Sequence, residues 1–395
     1  MASVGVDRTV ALVVLDSVGI GEAPDAAEFG DEGSATLPHI AEKVGGIDLP
    51  HLGALGLGNI TPIAGVDPAA TPRGAFGAMI ERSPGKDTTT GHWEIVGVIL
   101  DKPFPTYPDG FPSDVMDAFE RAVGRETLGN VAASGTVIIE RLGEEHMRTG
   151  KPIVYTSADS VFQIAAHVDV IPLEELYEMC RKAREIMRGP HEVGRVIARP
   201  FEGAAGAFRR TADRHDFSVL PPTTTVLDEI EGAGLEVRGV GKISDIFGGR
   251  GVTSSRPTRS NEHGIDVLIE EIEAAGPGLV FANLVDFDQS FGHRNDPEGY
   301  AAALEEFDRR LPQIVAALGP EDVLVITADH GNDPTTTSTD HSREMVPLLV
   351  TGAGVRAEVG LGRRETFADC GATVADLLGV DFSGPGTSFA DDLFG

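Results

Sequence analysis

The stretch from Val323 to Asp333, V-L-V-I-T-A-D-H-G-N-D, constrains the fold more than any other part of this sequence. Its apolar beginning is typical of a strand buried inside an α/β sheet. Such sheets bind ligands beyond the carboxyl ends of their strands, so we expect Asp329 and His330 at the mouth of the sheet. An adjacent carboxylate and imidazole suit Zn or Mn better than Ca. The alternative is an ordinary turn, because turns favour Asp and Gly.

Two further segments favour a metal site over a turn. N-L-V-D-F-D-Q-S-F-G-H follows the strand-like run G-L-V-F-A and contains Asp286, Asp288 and His293. His341 lies in the polar loop T-S-T-D-H-S, and a third strand-like run, T-V-A-L-V-V-L, ends in Asp16. Three predicted strands therefore each end in a carboxylate, with histidines just beyond two of them. This clustering predicts a metal centre at one edge of the sheet.

The length and the charge limit the functions open to the chain. At 395 residues it exceeds one ordinary core, so two domains are expected. A formal net charge of −30 argues against a nucleic-acid partner, which needs a basic surface. We therefore expect a small-molecule partner, and an anionic one has to meet a local positive patch or metal ions.

The cysteines and the apolar runs bear on the compartment. Cys180 and Cys370 lie far apart, which predicts no disulfide framework and fits a reduced, cytoplasmic compartment. The polar N-terminus lacks the pattern of a signal peptide. No run reaches the roughly 18–20 apolar residues of a membrane span, so we expect no membrane partner. The sequence indicates no protein partner.

Two Pro-rich segments suggest how the domains are arranged. P-F-P-T-Y-P-D-G-F-P spans 103–112 and V-L-P-P-T-T-T-V spans 219–226. Because Asp16 and Asp288 have to meet, the segment between these links is interpreted as an insertion. The sequence therefore predicts a discontinuous two-metal catalytic core, residues 1–103 and 222–395, and an inserted cap that binds substrate, residues 104–221.

The predicted insertion carries arginines that suit an anionic substrate. Arg195 and Arg199 lie in G-R-V-I-A-R-P, and Arg209 and Arg210 lie in F-R-R-T. Arginine forks match phosphate oxygens. For each arginine alone a solvated surface position is the alternative, but the set on a cap over an acidic core predicts substrate capture.

The segment S-P-G-K-D-T-T-T-G-H-W-E, Ser83 to Glu94, offers a candidate nucleophile. A threonine hydroxyl at a junction between a loop and a helix, close to a metal, can attack phosphorus. Amides at a helix start can hold a phosphate. The alternative is a helix cap, because Asp and Thr are favoured N-caps and Glu94 could complete a capping box. Taken locally, the residues favour the cap.

The motifs together resemble those of a known superfamily. G-K-D-T-T-T-G-H-W-E, D-F-D-Q-S-F-G-H, T-A-D-H-G-N-D and T-D-H-S are similar to segments of the alkaline phosphatase superfamily. Y-T-S-A-D-S-V-F-Q-I-A, V-G-R-V-I-A-R-P-F and V-G-K-I-S-D-I-F resemble the phosphopentomutase family within it, the bacterial type that requires manganese. The resemblance covers nearly the whole chain. It implies an α/β fold: an alkaline-phosphatase-like core with a mostly parallel sheet sandwiched by helices, plus an inserted α+β cap domain.

The same resemblance implies roles for individual residues. One metal would be held by Asp16, Asp329 and His330, and the other by Asp288, His293 and His341. Thr88 matches the residue that carries the phosphoryl group, and Asp286 has no metal role. The positions that match substrate contacts are Ser157, Asp159, Arg195, Ile197, Arg210 and Lys242. The implied cofactors are two Mn²⁺ per chain, with a sugar bisphosphate as primer.

The implied reaction interconverts ribose 1-phosphate, or its 2-deoxy analogue, with the 5-phosphate. It passes through a phosphothreonine and a pentose 1,5-bisphosphate. Three alternatives stay open at this point. They are a two-metal phosphohydrolase, the metal-dependent phosphoglycerate mutase of the same superfamily, and a catalytically inactive metal- or sugar-binding module.

Overall fold

A computed structural model of the chain describes residues 8–157 and 159–394. The polar N-terminal residues 1–7 lie outside the described residues. The strands in chain order are β1 Thr9–Leu15, β2 Ala75–Met79, β3 Leu128–Ala132, β4 Ile153–Thr156, β5 Val161–His167, β6 Arg195–Glu202, β7 Arg209–Arg210, β8 His215–Ser218, β9 Glu236–Val240, β10 Ser254–Arg256, β11 Gly278–Leu284, β12 Val323–Thr327, β13 Val346–Thr351 and β14 Val359–Arg364. The α-helices are α1 Ala26–Phe29, α2 Thr36–Val44, α3 Pro50–Leu55, α4 Leu57–Ile60, α5 Thr88–Ile95, α6 Ser113–Val123, α7 Gly135–Thr149, α8 Leu173–Ile186, α9 Val226–Gly232, α10 Ile243–Ile246, α11 Asn261–Ala274, α12 Pro297–Ala317, α13 Ala368–Leu378 and α14 Ala390–Leu393.

The described residues form two compact units. The first contains the described residues up to Lys102 together with those from Pro221 onward, and the second is Pro103–Leu220. The junctions lie one residue before the boundaries predicted from the Pro-rich links. None of the helices that the structure describes combines the length and the apolar character needed to cross a membrane.

The first unit is built on an eight-stranded sheet of order β10-β9-β11-β1-β12-β13-β2-β14. Its strand pairs are parallel except those that β13 makes with β12 and with β2. Helix α11 packs on β11 and β9, and α13 packs on β1. This confirms the predicted α/β core with a mostly parallel sheet.

The three central strands end together. Every residue of β1, β11 and β12 is buried, as expected for strands covered on both faces. In the parallel register Leu15 lies opposite Leu284, and Val14 lies opposite Thr327. The polar residues that follow these strands therefore emerge at the same edge of the sheet.

The second unit has a six-stranded mixed sheet of order β3-β4-β5-β6-β7, with β8 pairing with β6. Alternate residues of each strand face opposite sides. Phe162 and Ile164 face one core, which contains Phe119 from α6 and Leu176 from α8. The other face contributes Ile153, Tyr155 and Phe201 to a core completed by Ile138 and Ile139 of α7. A mixed sheet with α6 and α8 on one face and α7 on the other confirms the predicted α+β character of this unit.

Candidate metal centre

The carboxyl ends of β11, β1 and β12 present acidic side chains side by side. Asp16 directly follows β1, and Asp329 follows β12 after one intervening residue. Asp288 lies in a π-helical turn, Phe287–Phe291, that follows β11. All three carboxylates are buried. Because β1 lies between β11 and β12, Asp16 has an acidic neighbour on each side.

Two groups of residues have the spacing of a metal site. One group is Asp288, His293 and His341, and the other is Asp16, Asp288 and His330. In each group the candidate ligand atoms lie within 4.8 Å of one another. His293 Nε2 is 3.1 Å from Asp288 Oδ2, and His341 Nε2 is 3.4 Å from Asp288 Oδ1. In the other group His330 Nε2 is 3.5 Å from Asp16 Oδ1. Asp288 is a member of both groups.

Asp329 has different neighbours from the other two carboxylates. Its Oδ1 accepts a hydrogen bond of 3.1 Å from the Ser17 N–H. Its Oδ2 is 3.0 Å from His92 Nδ1 and 3.5 Å from His330 Nε2. The structure therefore brings Asp329 beside His330, but it groups Asp16 and His330 with Asp288 rather than with Asp329.

Asp286, the first carboxylate of D-F-D, lies outside both groups. Its Oδ2 accepts a 2.7 Å hydrogen bond from the Asn261 N–H, at the start of α11. Its Oδ1 accepts from the Ser290 hydroxyl at 3.2 Å. Asp286 therefore holds local backbone, whereas Asp288 faces the histidines.

The buried acids repel one another. Burial raises the pKa of Asp16 well above its usual range, and the negative charges of Asp329 and Asp288 raise it further. Burial also opposes ionisation of Asp288, but His341, His293 and His330 together outweigh it and hold the pKa of Asp288 well below its ordinary value. The centre thus combines concentrated negative charge with imidazole nitrogens.

The residues of this centre fit a bound divalent cation. Asp16 Oδ1 is buried and accepts no hydrogen bond among the described residues. A buried charged oxygen without a partner is costly, and a cation would satisfy it. The donors are carboxylate oxygens and imidazole nitrogens, a mixture that suits a transition metal such as Mn or Zn better than Ca.

Thr88 lies at the edge of this centre. It is the first residue of α5, and its Oγ1 is 3.3 Å from His330 Nε2. The structure therefore places the hydroxyl at the start of α5 beside the imidazole that follows β12.

The neighbouring threonines are engaged elsewhere. The Thr90 hydroxyl donates to Asp87 Oδ2 at 2.5 Å, and Thr90 is fully buried. The Asp87 carboxylate also accepts from the Thr89 and Thr90 N–H groups, so Asp87 is the N-cap of α5. The cap interpretation and the nucleophile interpretation therefore apply to different residues. Glu94 completes no capping box, because its carboxylate accepts from the backbone N–H groups of 82 and 83.

Sequence reasoning missed three side chains that hold the predicted metal ligands. Asn283 Nδ2 donates to Asp16 Oδ2 at 2.7 Å, and Asn332 Nδ2 donates to Asp288 Oδ1 at 2.8 Å. His92 Nδ1 lies 3.0 Å from Asp329 Oδ2 and 2.9 Å from the Thr88 carbonyl oxygen. Each belongs to a motif that the sequence had singled out, A-N-L-V-D, H-G-N-D or G-H-W-E. An amide or imidazole beside such carboxylates was the available signal.

The predicted substrate residues are divided between the units. Ser157, Asp159, Arg195, Ile197 and Arg210 belong to the second unit. Within it Arg195 lies between carboxylates, with Nη2 3.8 Å from Asp159 and Nη1 3.7 Å from Asp216. Ile197 is buried on β6, and Ser157 is half-buried.

Arg210 extends from β7 toward the start of α7. A Cβ on Gly135, the first residue of α7, would come 2.2 Å from Arg210 Nη2 and 2.5 Å from the Tyr155 hydroxyl. The hydroxyl of Tyr155 is buried and makes no hydrogen bond among the described residues. A guanidinium and a hydroxyl therefore converge beside a helix N-terminus, an arrangement that suits an anion.

Lys242, the remaining predicted substrate residue, belongs to the first unit. It precedes α10, and its Nζ donates to Gln289 Oε1 at 2.9 Å. Gln289 lies in the same π-helical turn as Asp288, so Lys242 reaches the segment that carries a predicted metal ligand.

The sequence is similar to proteins of known families. Residues 8–382 match the model of the Metalloenzyme superfamily. Over 98% of the chain it is 60% identical to a phosphopentomutase from Carboxydothermus hydrogenoformans, covering 99% of that protein. It is 59% identical over 97% of the chain to a phosphopentomutase from Desulfitobacterium hafniense, covering 98% of it. A more distant likeness, with 14% identity and a TM-score of 0.48 over 98% of each chain, is to a phosphoglycerate mutase from Leishmania mexicana.

Proposed function

The chain belongs to the phosphopentomutases of the metalloenzyme superfamily, and from this premise we propose that it moves the phosphoryl group of a pentose phosphate by way of a phosphothreonine at Thr88. The family resemblance of the motifs is thereby confirmed, and the chain is an isomerase. The substrate class is a pentose phosphate. The route through Thr88 rests on one observation: the Thr88 hydroxyl lies 3.3 Å from His330 Nε2, which belongs to one of the two groups of candidate metal ligands.

The proposed metal content is two Mn²⁺ per chain. Asp16, Asp329 and His330 would hold one ion, and Asp288, His293 and His341 the other. Asp288 lies close enough to both groups to contribute to either. Cations bound there would lower the pKa of a nearby hydroxyl and offset the charge of a transferring phosphoryl group.

The proposed cycle transfers the phosphoryl group twice. Phosphorylated Thr88 gives its phosphoryl group to the free hydroxyl of a pentose monophosphate, which breaks the bond to Oγ1 and forms the 1,5-bisphosphate. After the sugar has turned over, Thr88 Oγ1 accepts the other phosphoryl group. The result is exchange between the 1-phosphate and 5-phosphate of ribose or 2-deoxyribose. A sugar bisphosphate would prime the cycle by phosphorylating Thr88.

The chain's own residues supply the positioning. Asp87 holds the first turn of α5 by accepting from two backbone N–H groups, which keeps the Thr88 hydroxyl at the helix start. His92 is hydrogen-bonded to the Thr88 carbonyl and lies 3.0 Å from Asp329, so one imidazole connects the nucleophile to a predicted metal ligand. The phosphate that does not react would be held by Arg195 and Arg210, with Ser157, Asp159, Ile197 and Lys242 as further substrate contacts.

In this proposal the second unit is the cap and the first unit the catalytic core. We also propose a cytoplasmic location. Its support is that Cys180 and Cys370 are both buried and unpaired, as is usual in a reducing compartment.

Substitution of Thr88 tests the phosphothreonine. Thr88→Ala should abolish turnover of ribose 1-phosphate while leaving metal binding and fold nearly unchanged. Thr89→Ala is the matched control and should retain substantial activity, because Thr89 is buried and its N–H is bound by the cap. The measurement is a coupled assay with Mn²⁺, with and without a sugar bisphosphate primer.

The sugar bisphosphate should also phosphorylate the protein. After incubation with it, peptide mass spectrometry should find one added phosphate, on Thr88. A phosphate on Thr89, Thr90 or His92 would reject the assignment. No phosphate on the protein, with steady release of inorganic phosphate, would favour a two-metal phosphohydrolase instead.

A further inference from the structure

The loop that leads from β2 to Thr88 lacks the support of a strand or a helix. It comprises residues 80–87, and within it the carbonyls of Glu81, Ser83 and Gly85 form no regular ladder. Ser83 O accepts from the Gly85 N–H at 2.8 Å, and the further donors that these buried carbonyls need come from side chains.

Arg343 supplies donors to all three of these carbonyls. Its Nη1 donates to Ser83 O at 2.8 Å and to Gly85 O at 2.6 Å, and its Nη2 donates to Glu81 O at 2.6 Å. The same guanidinium binds two carboxylates. Nη1 lies 2.8 Å from Glu81 Oε2, while Nε and Nη2 reach Asp25 at 3.1 and 2.9 Å.

This arginine is saturated with internal partners. A guanidinium has five N–H donors, and these contacts use all of them. The side chain is only 1% exposed, and Phe29 lies 4.8 Å from its guanidinium carbon. Although Arg343 is close in sequence to a predicted metal ligand, it has no donor left for a substrate phosphate.

The backbone of Arg343 is tied to the same region. It lies two residues after His341, and its N–H donates to Asp31 Oδ2 at 2.9 Å. Asp31 also accepts from Lys86 Nζ at 3.0 Å, one residue before the N-cap of α5. The segment that carries His341 and the loop that leads to Thr88 are thus joined by side-chain and backbone contacts.

Glu94 binds backbone N–H groups of the same loop. The Glu94 carboxylate accepts from the Arg82 N–H at 2.8 Å and from the Ser83 N–H at 2.6 Å. The alternate carbonyls of 81, 83 and 85 therefore accept from Arg343, and the N–H groups of 82 and 83 donate to Glu94. A loop held on both its carbonyl and its amide groups by buried side chains suits a segment that must hold a nucleophile in place.

From these contacts we propose that Arg343 is a positioning residue, which fastens the loop before Thr88 to the segment bearing His341 and so keeps the Thr88 hydroxyl in register with the metal centre. The inference rests on the proposed function, in which Thr88 carries the phosphoryl group. Arg343 acts through backbone carbonyls and touches no reacting atom.

The test replaces the guanidinium of Arg343 with an amine that keeps the positive charge. Arg343→Lys retains a cation but has only three donors on one nitrogen, so it cannot serve three carbonyls and two carboxylates together. We expect kcat to fall about a hundredfold, because displacement of a reacting group by about 1 Å has an effect of that size. KM for the pentose phosphate and the metal stoichiometry should change less than about twofold.

Arg310→Lys is the matched control. Arg310 also lies in the first unit, where it pairs with Asp266 at 2.7 Å and with Gln313 at 2.7 Å. No contact joins it to the loop among the described residues. Because these partners are exposed, Arg310→Lys should change neither the stability nor kcat by much, and it controls for the exchange of Arg for Lys itself. If Arg310→Lys and Arg343→Lys reduce kcat equally, Arg343 has a merely structural role and the proposal is overturned.

Hydrogen exchange gives a readout independent of turnover. In Arg343→Lys the amides of the peptide covering 81–88 should exchange at least about tenfold faster, with other peptides of the first unit unchanged. Acceleration spread over the whole unit, or none in this peptide, would contradict the proposal. If Arg343→Lys does not fold, Asp25→Asn decides, because it removes one charged anchor at a half-exposed position and should give a smaller change of the same kind.

The outcomes separate this inference from the proposed function. If the parent enzyme takes no phosphate on Thr88, the proposed function fails, while the exchange of 81–88 still reports whether Arg343 anchors the loop. If the parent is phosphorylated on Thr88 and Arg343→Lys is phosphorylated at the same rate, the function stands and the positioning role is wrong.

Discussion

Asp286 and Asp288 lie two residues apart, yet their carboxylates have different surroundings. Asp286 binds the first N–H group of α11 and the Ser290 hydroxyl. Asp288 is buried against His293 and His341. Asp286 precedes the π-helical turn that follows β11, whereas Asp288 lies inside it.

A pair of substitutions separates these two roles. Asp288→Asn should remove a ligand that both metal groups share, so metal content should fall and activity should drop by about a hundredfold or more. Asp286→Asn should lower the free energy of unfolding by about 1 kcal/mol, because a neutral amide accepts a hydrogen bond less strongly than a carboxylate does. Metal analysis and the coupled assay on both variants check this. Equal losses of activity would mean that the wrong carboxylate had been assigned.

At the scale of elements, α5 shows how a helix start can present a nucleophile. The N-cap Asp87 occupies the amides of the first turn and the Thr90 hydroxyl, which leaves the Thr88 hydroxyl at the edge nearest His330. Consecutive helical residues point about 100° apart, so neighbouring threonines cannot share that direction. The cap is therefore part of what distinguishes the three threonines.

Strand β7 offers a similar distinction between two arginines. Arg209 forms an exposed pair with Glu202 at 2.9 Å, whereas Arg210 extends toward the start of α7 and the Tyr155 hydroxyl. Adjacent residues of a strand face opposite sides, so the two guanidinium groups have different surroundings despite their proximity.

We expect Arg210→Ala to raise KM for the pentose phosphate about tenfold, since a charged hydrogen bond contributes roughly 1.5–3 kcal/mol. Arg209→Ala is the control and should leave KM within about twofold, because exposed ion pairs contribute little. Metal content should be unchanged in both variants. Steady-state kinetics measure the effect, and an unaltered KM for Arg210→Ala would make Arg210 an ordinary surface residue.

At the scale of the whole molecule, negative charge dominates. The formal net charge is −30, and the buried carboxylates Asp16, Asp288 and Asp329 lie together at one edge of the main sheet. Self-repulsion of this kind disfavours the compact state. A bound cation opposes it at the place where the charge is most concentrated, so metal binding and stability should be linked.

Chelation should therefore lower the thermal midpoint of the protein. A ligand present at a hundred times its dissociation constant stabilises the native state by about 2.7 kcal/mol. We expect EDTA to lower the midpoint by several degrees and to abolish activity. Mn²⁺ should restore both better than Ca²⁺, because the donor set mixes imidazole with carboxylate. Scanning calorimetry with elemental analysis is the measurement, and intact activity in EDTA without stoichiometric metal would refute metal dependence.

Much of this molecule was readable from the sequence. Apolar runs such as Val323–Ile326 predicted the buried strands, because a strand covered on both faces needs apolar residues throughout. The carboxylates directly after those runs predicted which side chains meet, since parallel strands end at one edge. The Pro-rich links predicted two units with boundaries close to those observed.

Only the tertiary structure decided how these residues are partnered. Sequence order does not reveal that Asp288 joins both metal groups, that Asn283 binds Asp16, or that Arg343 holds carbonyls some 260 positions away. Such contacts depend on the angles at which loops leave the sheet and on which buried donors remain to be satisfied. The apolar pattern of a chain determines its strands locally, whereas hydrogen-bond partners are selected only when distant segments pack together.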